Sequence, residues 1–167
     1  ELTFPDRSKT NVEERVGSMR DWFEYWLKGA DNGIQDKPAV ALFMMGDASI
    51  PGADGNEWLF YDDWPPPFTS VELYLASEKA LRRSAPSRDG GSSTYDYDPA
   101  NPVPTIGGNN LMPPSGPHDM RPVEARPDVL RFDTPPLAGN VALCGPVTVT
   151  LYVASSAVDT DFAAFLT

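Results

Sequence analysis

Few residues in this chain are equipped for covalent chemistry. His118 is the single histidine and Cys144 the single cysteine among 167 residues. A general base must be held against a nucleophile and oriented by a third group. Asp119 follows His118 directly, and adjacent side chains diverge, so Pro117-His118-Asp119 is not a dyad signature and His118 reads as a loop residue. A nucleophile elbow, G-x-S-x-G, needs small residues around a sharp strand-to-helix turn. The nearest stretch, Gly46-Asp47-Ala48-Ser49-Ile50, lacks the second glycine, and no Gly-rich phosphate loop occurs. Cys144 lies between Leu143 and Gly145, which offer no activating base, so it reads as a buried small hydrophobe. One cysteine allows neither an internal disulfide nor a cysteine-based metal site.

Carboxylates recur in pairs: Asp62-Asp63, Asp96 with Asp98, and Asp159 with Asp161. Calcium takes such oxygen ligands, but none of these pairs continues into the ladder of oxygen positions and distal glutamate that a calcium loop needs. Asp98 precedes Pro99 and reads as a turn start. No catalytic residue, metal site or cofactor is therefore expected within the chain.

The formal charge of −11 disfavours nucleic acid and anionic membrane surfaces, both of which call for a basic patch. No apolar run is long enough to span a bilayer, and Glu1-Leu2-Thr3-Phe4-Pro5 lacks the regions of a signal peptide. The 18 prolines direct much of the chain into turns and extended loops.

One helix is expected over residues 12–28. Asn11 is a good N-cap with Glu14 three residues on, and Lys28-Gly29 closes the helix. Val16, Met19, Phe23, Trp26 and Leu27 form an apolar stripe, and Trp22, Phe23 and Trp26 read as core packing. Residues 38–46, Pro-Ala-Val-Ala-Leu-Phe-Met-Met-Gly, are apolar on both faces, which predicts a strand buried inside an α/β sheet. After the stiff hinge Trp64-Pro65-Pro66-Pro67 the pattern changes. Short alternating runs at 71–75, 94–97, 129–132 and 147–153, separated by Gly, Pro, Ser and Asp, predict a β-sandwich. A boundary near residue 67 separates the two characters.

Five stretches carry a resemblance: SMRDWFEYWLKG (18–29), PAVALFMMG (38–46), TYDYDPANPVPTIGG (94–108), RPVEARPDVLRFDTPPL (121–137) and GPVTVTLYVASSAVDTDF (145–162). In this order they resemble the C-terminal half of the X-Pro dipeptidyl-peptidase and cocaine-esterase superfamily of serine hydrolases. The resemblance implies an α+β fragment: residues 1–67 as the C-terminal helix and strand of an α/β-hydrolase domain, and residues 68–167 as an incomplete jelly-roll β-sandwich. Glu1 to Lys9 resembles the segment just downstream of the catalytic histidine, so the Ser-His-Asp triad would lie upstream of Glu1. Met120 replaces the glutamine usual in the family's Gly-Pro-x-Asp-Gln-Arg-Pro loop. The loop Asn109-Asn110-Leu111-Met112-Pro113 matches one that sends apolar side chains into the acyl pocket of the neighbouring domain. Leu111 and Met112 are thus implied substrate-pocket residues, with packing on the sandwich itself as the alternative.

The strand pattern of residues 145–167 runs to the last residue, which predicts a piece of a longer polypeptide. The partners expected are the remainder of a hydrolase chain, or a second copy completing the sandwich, and through the parent enzyme a small ester, amide or peptide substrate. A free-standing jelly-roll carbohydrate-binding module, with Trp58, Tyr95 and Tyr97 as stacking candidates, is the competing reading.

Overall fold

The helix expected over residues 12–28 is two helices. In the computed structural model, which describes residues 11–87, 91–112 and 115–167, α1 spans Val12–Val16 and α2 spans Met19–Lys28. Gly17 takes φ 86°, a left-handed value that costs residues with a Cβ, and its N–H donates to the Glu13 carbonyl to close α1. Ser18 then starts a new helix. Its hydroxyl accepts from the Asp21 N–H at 3.2 Å, and the Asp21 carboxylate accepts from the Ser18 N–H at 3.0 Å. This reciprocal pair satisfies donors that a helix start leaves open. Asn11 makes no side-chain bond to the backbone; its Nδ2 donates instead to Glu14 Oε1 at 2.8 Å. Gly29 ends α2 as expected, left-handed at φ 66° and donating to the Tyr25 carbonyl.

The expected core packing of Trp22, Phe23 and Trp26 is not found. These residues, with Met19 and Leu27, are exposed, and among the described residues their aromatic contacts stay on the helix. Trp22 and Trp26 ring centroids lie 5.6 Å apart, and Tyr25 meets Trp26 edge-on at 5.1 Å. α2 packs against the 3-10 turn Ile34–Asp36, too short to cover an apolar stripe of this width.

β1, Val40–Met44, falls inside the expected run 38–46, but it is not a strand buried on both faces. It is half-buried and pairs antiparallel with β2, Glu57–Tyr61, in the register Val40–Tyr61, Leu42–Leu59 and Met44–Glu57. Phe43 and Trp58 meet edge-on at 5.4 Å across the pair, and Arg15 lies over the Phe60 ring at 4.4 Å. Asn56 closes the connecting loop: it is 1% exposed, holds φ 55°, and its Oδ1 accepts from the Gly46 N–H at 3.2 Å.

The chain divides into two units. The first runs to Thr69 and includes Ala138–Thr148, which Asn140 ties down by donating to Asp54 Oδ2 at 2.8 Å. Cys144, in this returning segment, is half-buried rather than buried.

The second unit comprises Ser70–Leu137 and Val149–Thr167. Here β3, Tyr74–Leu75, and β4, Leu81–Arg82, form a short antiparallel hairpin. Asp133 joins it alongside Ala80, accepting from the Leu81 N–H at 2.7 Å and donating to the Lys79 carbonyl at 3.1 Å. A single turn of helix, α3, spans Arg121–Glu124 with Pro122 in its first turn and Val123 buried. The expected strand at 71–75 is reduced to β3, and the runs 94–97, 129–132 and 147–153 are not strands among the described residues.

The architecture is a mixed α+β chain with few helices and antiparallel strands. Ile34 and Val123 are its buried apolar side chains among the described residues. The accessible surface is 13849 Å² for 18.2 kDa, against roughly 8,000 Å² for a folded monomer of that mass.

Candidate functional site

The loop implied to carry substrate contacts is built from glycine outward. Gly107, Gly108 and Gly116 all hold left-handed backbone, at φ 64°, 73° and 84°. Gly108 and Gly116 exchange two hydrogen bonds, each amide donating to the other's carbonyl at 2.8 Å. That pair is one rung of an antiparallel ladder, and it pinches the intervening residues into a loop. A Cβ at Gly107 would strike the Gly116 carbonyl oxygen and come within 2.8 Å of His118 Cδ2. His118 therefore packs beneath the neck, as a loop residue.

Beyond the neck, Leu111 is 99% exposed and Met112 75% exposed. Both residues belong to the second unit. Pro113 lies outside the described residues, as does the stretch Glu1 to Lys9.

Below the neck the chain is fastened twice. Asp119 accepts from the Arg121 N–H at 3.0 Å and from Arg121 Nε at 2.8 Å. The Arg121 side chain holds the Asp119 carboxyl down at about 2 from its ordinary 3.8. Further on, Arg126 donates through Nε and Nη2 to the two oxygens of Asp128, at 2.8 and 2.7 Å. The same Nη2 donates to the Asn101 carbonyl at 2.7 Å. The side chains of Arg126 and Asp128 are 21% and 9% exposed, the most enclosed ion pair among the described residues. Asn101 closes a turn on Asp98, donating to its carbonyl at 3.0 Å, while the Asp98 carboxylate accepts from the Ala100 N–H at 2.9 Å.

Arg126, Asp128 and Asn101 were not singled out from sequence. The signal was Arg126-Pro127-Asp128: proline favours the second position of a turn, and here the Val129 N–H donates to the Arg126 carbonyl at 3.3 Å, closing a turn that contains Pro127 and Asp128.

The paired carboxylates take structural posts. Asp98 starts a turn as expected, and Asp96 lines a shallow cleft with Asp98, Asn101, Arg126, Pro127 and Asp128. Asp63 accepts from the Trp64 N–H at 2.8 Å. Among the described residues no three His, Cys, Asp or Glu side chains converge to hold a metal ion. Of the aromatics proposed for stacking, Tyr95 and Tyr97 are exposed and Trp58 is taken into the β1–β2 pair.

Residues 32–167 match the X-Pro dipeptidyl-peptidase C-terminal non-catalytic domain. The chain belongs to this family. The five ordered stretches thus pointed to the correct relatives. A cocaine esterase of Rhodococcus is 37% identical over 166 residues, covering 93% of this chain and 28% of that protein. Candidate serine esterases of Mycobacterium bovis and Mycobacterium tuberculosis are each 30% identical over 159 residues, covering 90% of this chain and 23% of theirs. The chain spans about a quarter of the length of these curated relatives. No solved structure matches it significantly.

Proposed function

We propose that this chain is the non-catalytic C-terminal portion of a serine hydrolase, packing on the catalytic domain and walling its acyl pocket with Leu111 and Met112. The parent performs acyl transfer through a serine ester intermediate on an ester, amide or X-Pro peptide substrate, with the Ser-His-Asp triad in the catalytic domain. Residues 1–67 complete an α/β-hydrolase domain, and residues 68–167 open a jelly-roll sandwich finished by the remainder of the hydrolase chain or by a second copy.

The observation that carries the reading is Leu111 at 99% exposure on a loop whose neck is closed by two hydrogen bonds. Burying a leucine side chain is worth about 1.5–3 kcal/mol. An apolar tip held out on a fixed neck forgoes that gain until another surface covers it. The exposed stripe of α2 makes the same argument for the hydrolase domain, and the non-catalytic family and esterase relatives supply its chemistry. In the reaction, Leu111 and Met112 would exclude water from the acyl group and select its size.

The test uses the full-length protein. After incubation with a fluorophosphonate probe, intact-mass and peptide analysis should find the label on a serine outside residues 1–167, and Leu111→Ala with Met112→Ala should shift kcat/KM between p-nitrophenyl esters of small and bulky acyl groups. A label on a serine of this chain overturns the non-catalytic assignment. Unchanged acyl selectivity overturns the pocket assignment.

A further inference from the structure

The loop bearing Leu111 and Met112 is the end of a longer arm. One limb runs from Asn101 through Pro102 and Pro104 to Gly108, and the other returns from Gly116 through His118 and α3 to Arg126. The Gly108–Gly116 rung closes the arm near its tip. Arg126 closes it at the root, donating to the Asn101 carbonyl while both its Nε and Nη2 grip Asp128. The limbs between these closures are restricted: two prolines limit the outgoing limb, and a turn of helix with Pro122 limits the returning one. The root angle therefore sets where the tip stands.

We propose that Arg126, locked by Asp128, is a positioning residue that aims Leu111 and Met112 into the acyl pocket, and so tunes acyl selectivity without touching substrate. The proposal rests on the pocket reading above. Three features support it. The guanidinium is the element joining the two limbs at the root, since its Nη2 bridges the Asn101 carbonyl and Asp128 Oδ2. The pair is enclosed, unlike the open pair Arg131–Asp133 in the same unit, whose side chains are 54% and 55% exposed. A planar guanidinium serves two acceptors at fixed angles, which an ammonium cannot do.

The experiment compares Arg126→Lys, Arg126→Gln and Arg131→Gln in the full-length protein, reading amide hydrogen exchange across Gly108 and Gly116, kcat and KM on small and bulky p-nitrophenyl esters, and the unfolding midpoint. Arg126→Lys keeps a cation beside Asp128, which preserves folding, and removes the bridge to Asn101. It should speed exchange across Gly108 and Gly116 about tenfold, the loss expected of a charge-assisted hydrogen bond. It should also raise KM for bulky esters while leaving kcat on the small ester unchanged. Arg126→Gln should do the same or more, and Arg131→Gln, which loses a 3.5 Å contact to Glu124 of α3 but leaves the root clamp intact, should alter neither reading. Unchanged exchange in Arg126→Lys, or an equal change in Arg131→Gln, overturns the positioning role. If exchange changes as expected but neither Arg126→Lys nor Leu111→Ala with Met112→Ala alters selectivity, the pocket reading fails while the clamp stands.

Discussion

Gly108 and Gly116 exchange backbone hydrogen bonds at 2.8 Å in both directions, and Gly107 stands against the Gly116 carbonyl oxygen and His118. The neighbouring glycines therefore differ in what a methyl group would meet. Gly107→Ala places it on backbone at a left-handed φ, and should lower unfolding stability by about 2 kcal/mol or more. Gly108→Ala is strained only by its φ of 73°, with open space around the Cβ, and should cost about 1 kcal/mol. Urea unfolding of the two variants should rank them in that order.

Leu111 and Met112 are exposed on their own unit. Leu111→Ser with Met112→Ser should leave the unfolding free energy of the isolated chain, read by urea titration, within about 0.5 kcal/mol of the parent sequence. In the full-length protein the proposed pocket contact predicts that the same pair of changes destabilises. A loss of stability in the isolated chain would show the two side chains packed at home.

Ser18 is the residue that restarts the helix. Ser18→Ala removes the hydroxyl that receives the Asp21 amide and should cost about 1 kcal/mol. Ser18→Asp retains an acceptor and should restore most of it, as read by helical circular dichroism along a urea titration.

Acid should loosen the arm. The carboxyl of Asp119 is held at about 2, below its ordinary 3.8, chiefly by the side-chain hydrogen bonds of Arg121. A depressed carboxyl contributes stability that is present above its unfolded pKa and lost as pH falls through the folded one. The contribution should therefore be whole above pH 3.8 and fade toward pH 2. The difference in urea midpoint between the parent sequence and Asp119→Asn should shrink across that window, and a constant difference would refute the assignment.

Asn56 is the most enclosed polar side chain among the described residues, and it serves the loop between β1 and β2. Asn56→Ala leaves the Gly46 amide without its acceptor and puts a Cβ residue with less tolerance at φ 55°. The expected loss is about 1–3 kcal/mol. Asn56→Gly keeps the backbone at ease and loses only the hydrogen bond, so it should fall between the two in thermal unfolding.

How much of this could be read beforehand follows the kind of signal each residue gives. The apolar period of residues 16–27 located the helix face, because side-chain period is local. It did not show that Gly17-Ser18 splits the helix, although Ser18 with Asp21 three residues on is itself a start signal that Asn11 with Glu14 overshadowed. β1 was placed by its composition, but its partner was not, since an apolar run does not name what it pairs with and β2 lies across a loop from Met45 to Asn56. The runs at 94–97, 129–132 and 147–153 show the same limit: alternation specifies two faces, while a strand also needs a ladder. Leu111 and Met112 came from resemblance and not from any pattern of their own. Arg126 was missed because a clamp between Asn101 and Asp128 depends on a bond across 25 positions, which no local pattern encodes.

Arginine and aspartate alternate at a two-residue spacing through one stretch: Asp119 with Arg121, Arg126 with Asp128, and Arg131 with Asp133. Each guanidinium already has a carboxylate in its fork, so an incoming anion must first evict a tethered rival whose local concentration far exceeds its own. The stretch thus behaves as an internal counterion array. It carries positive charge for architecture and withholds that charge from phosphates and sulfates in solution.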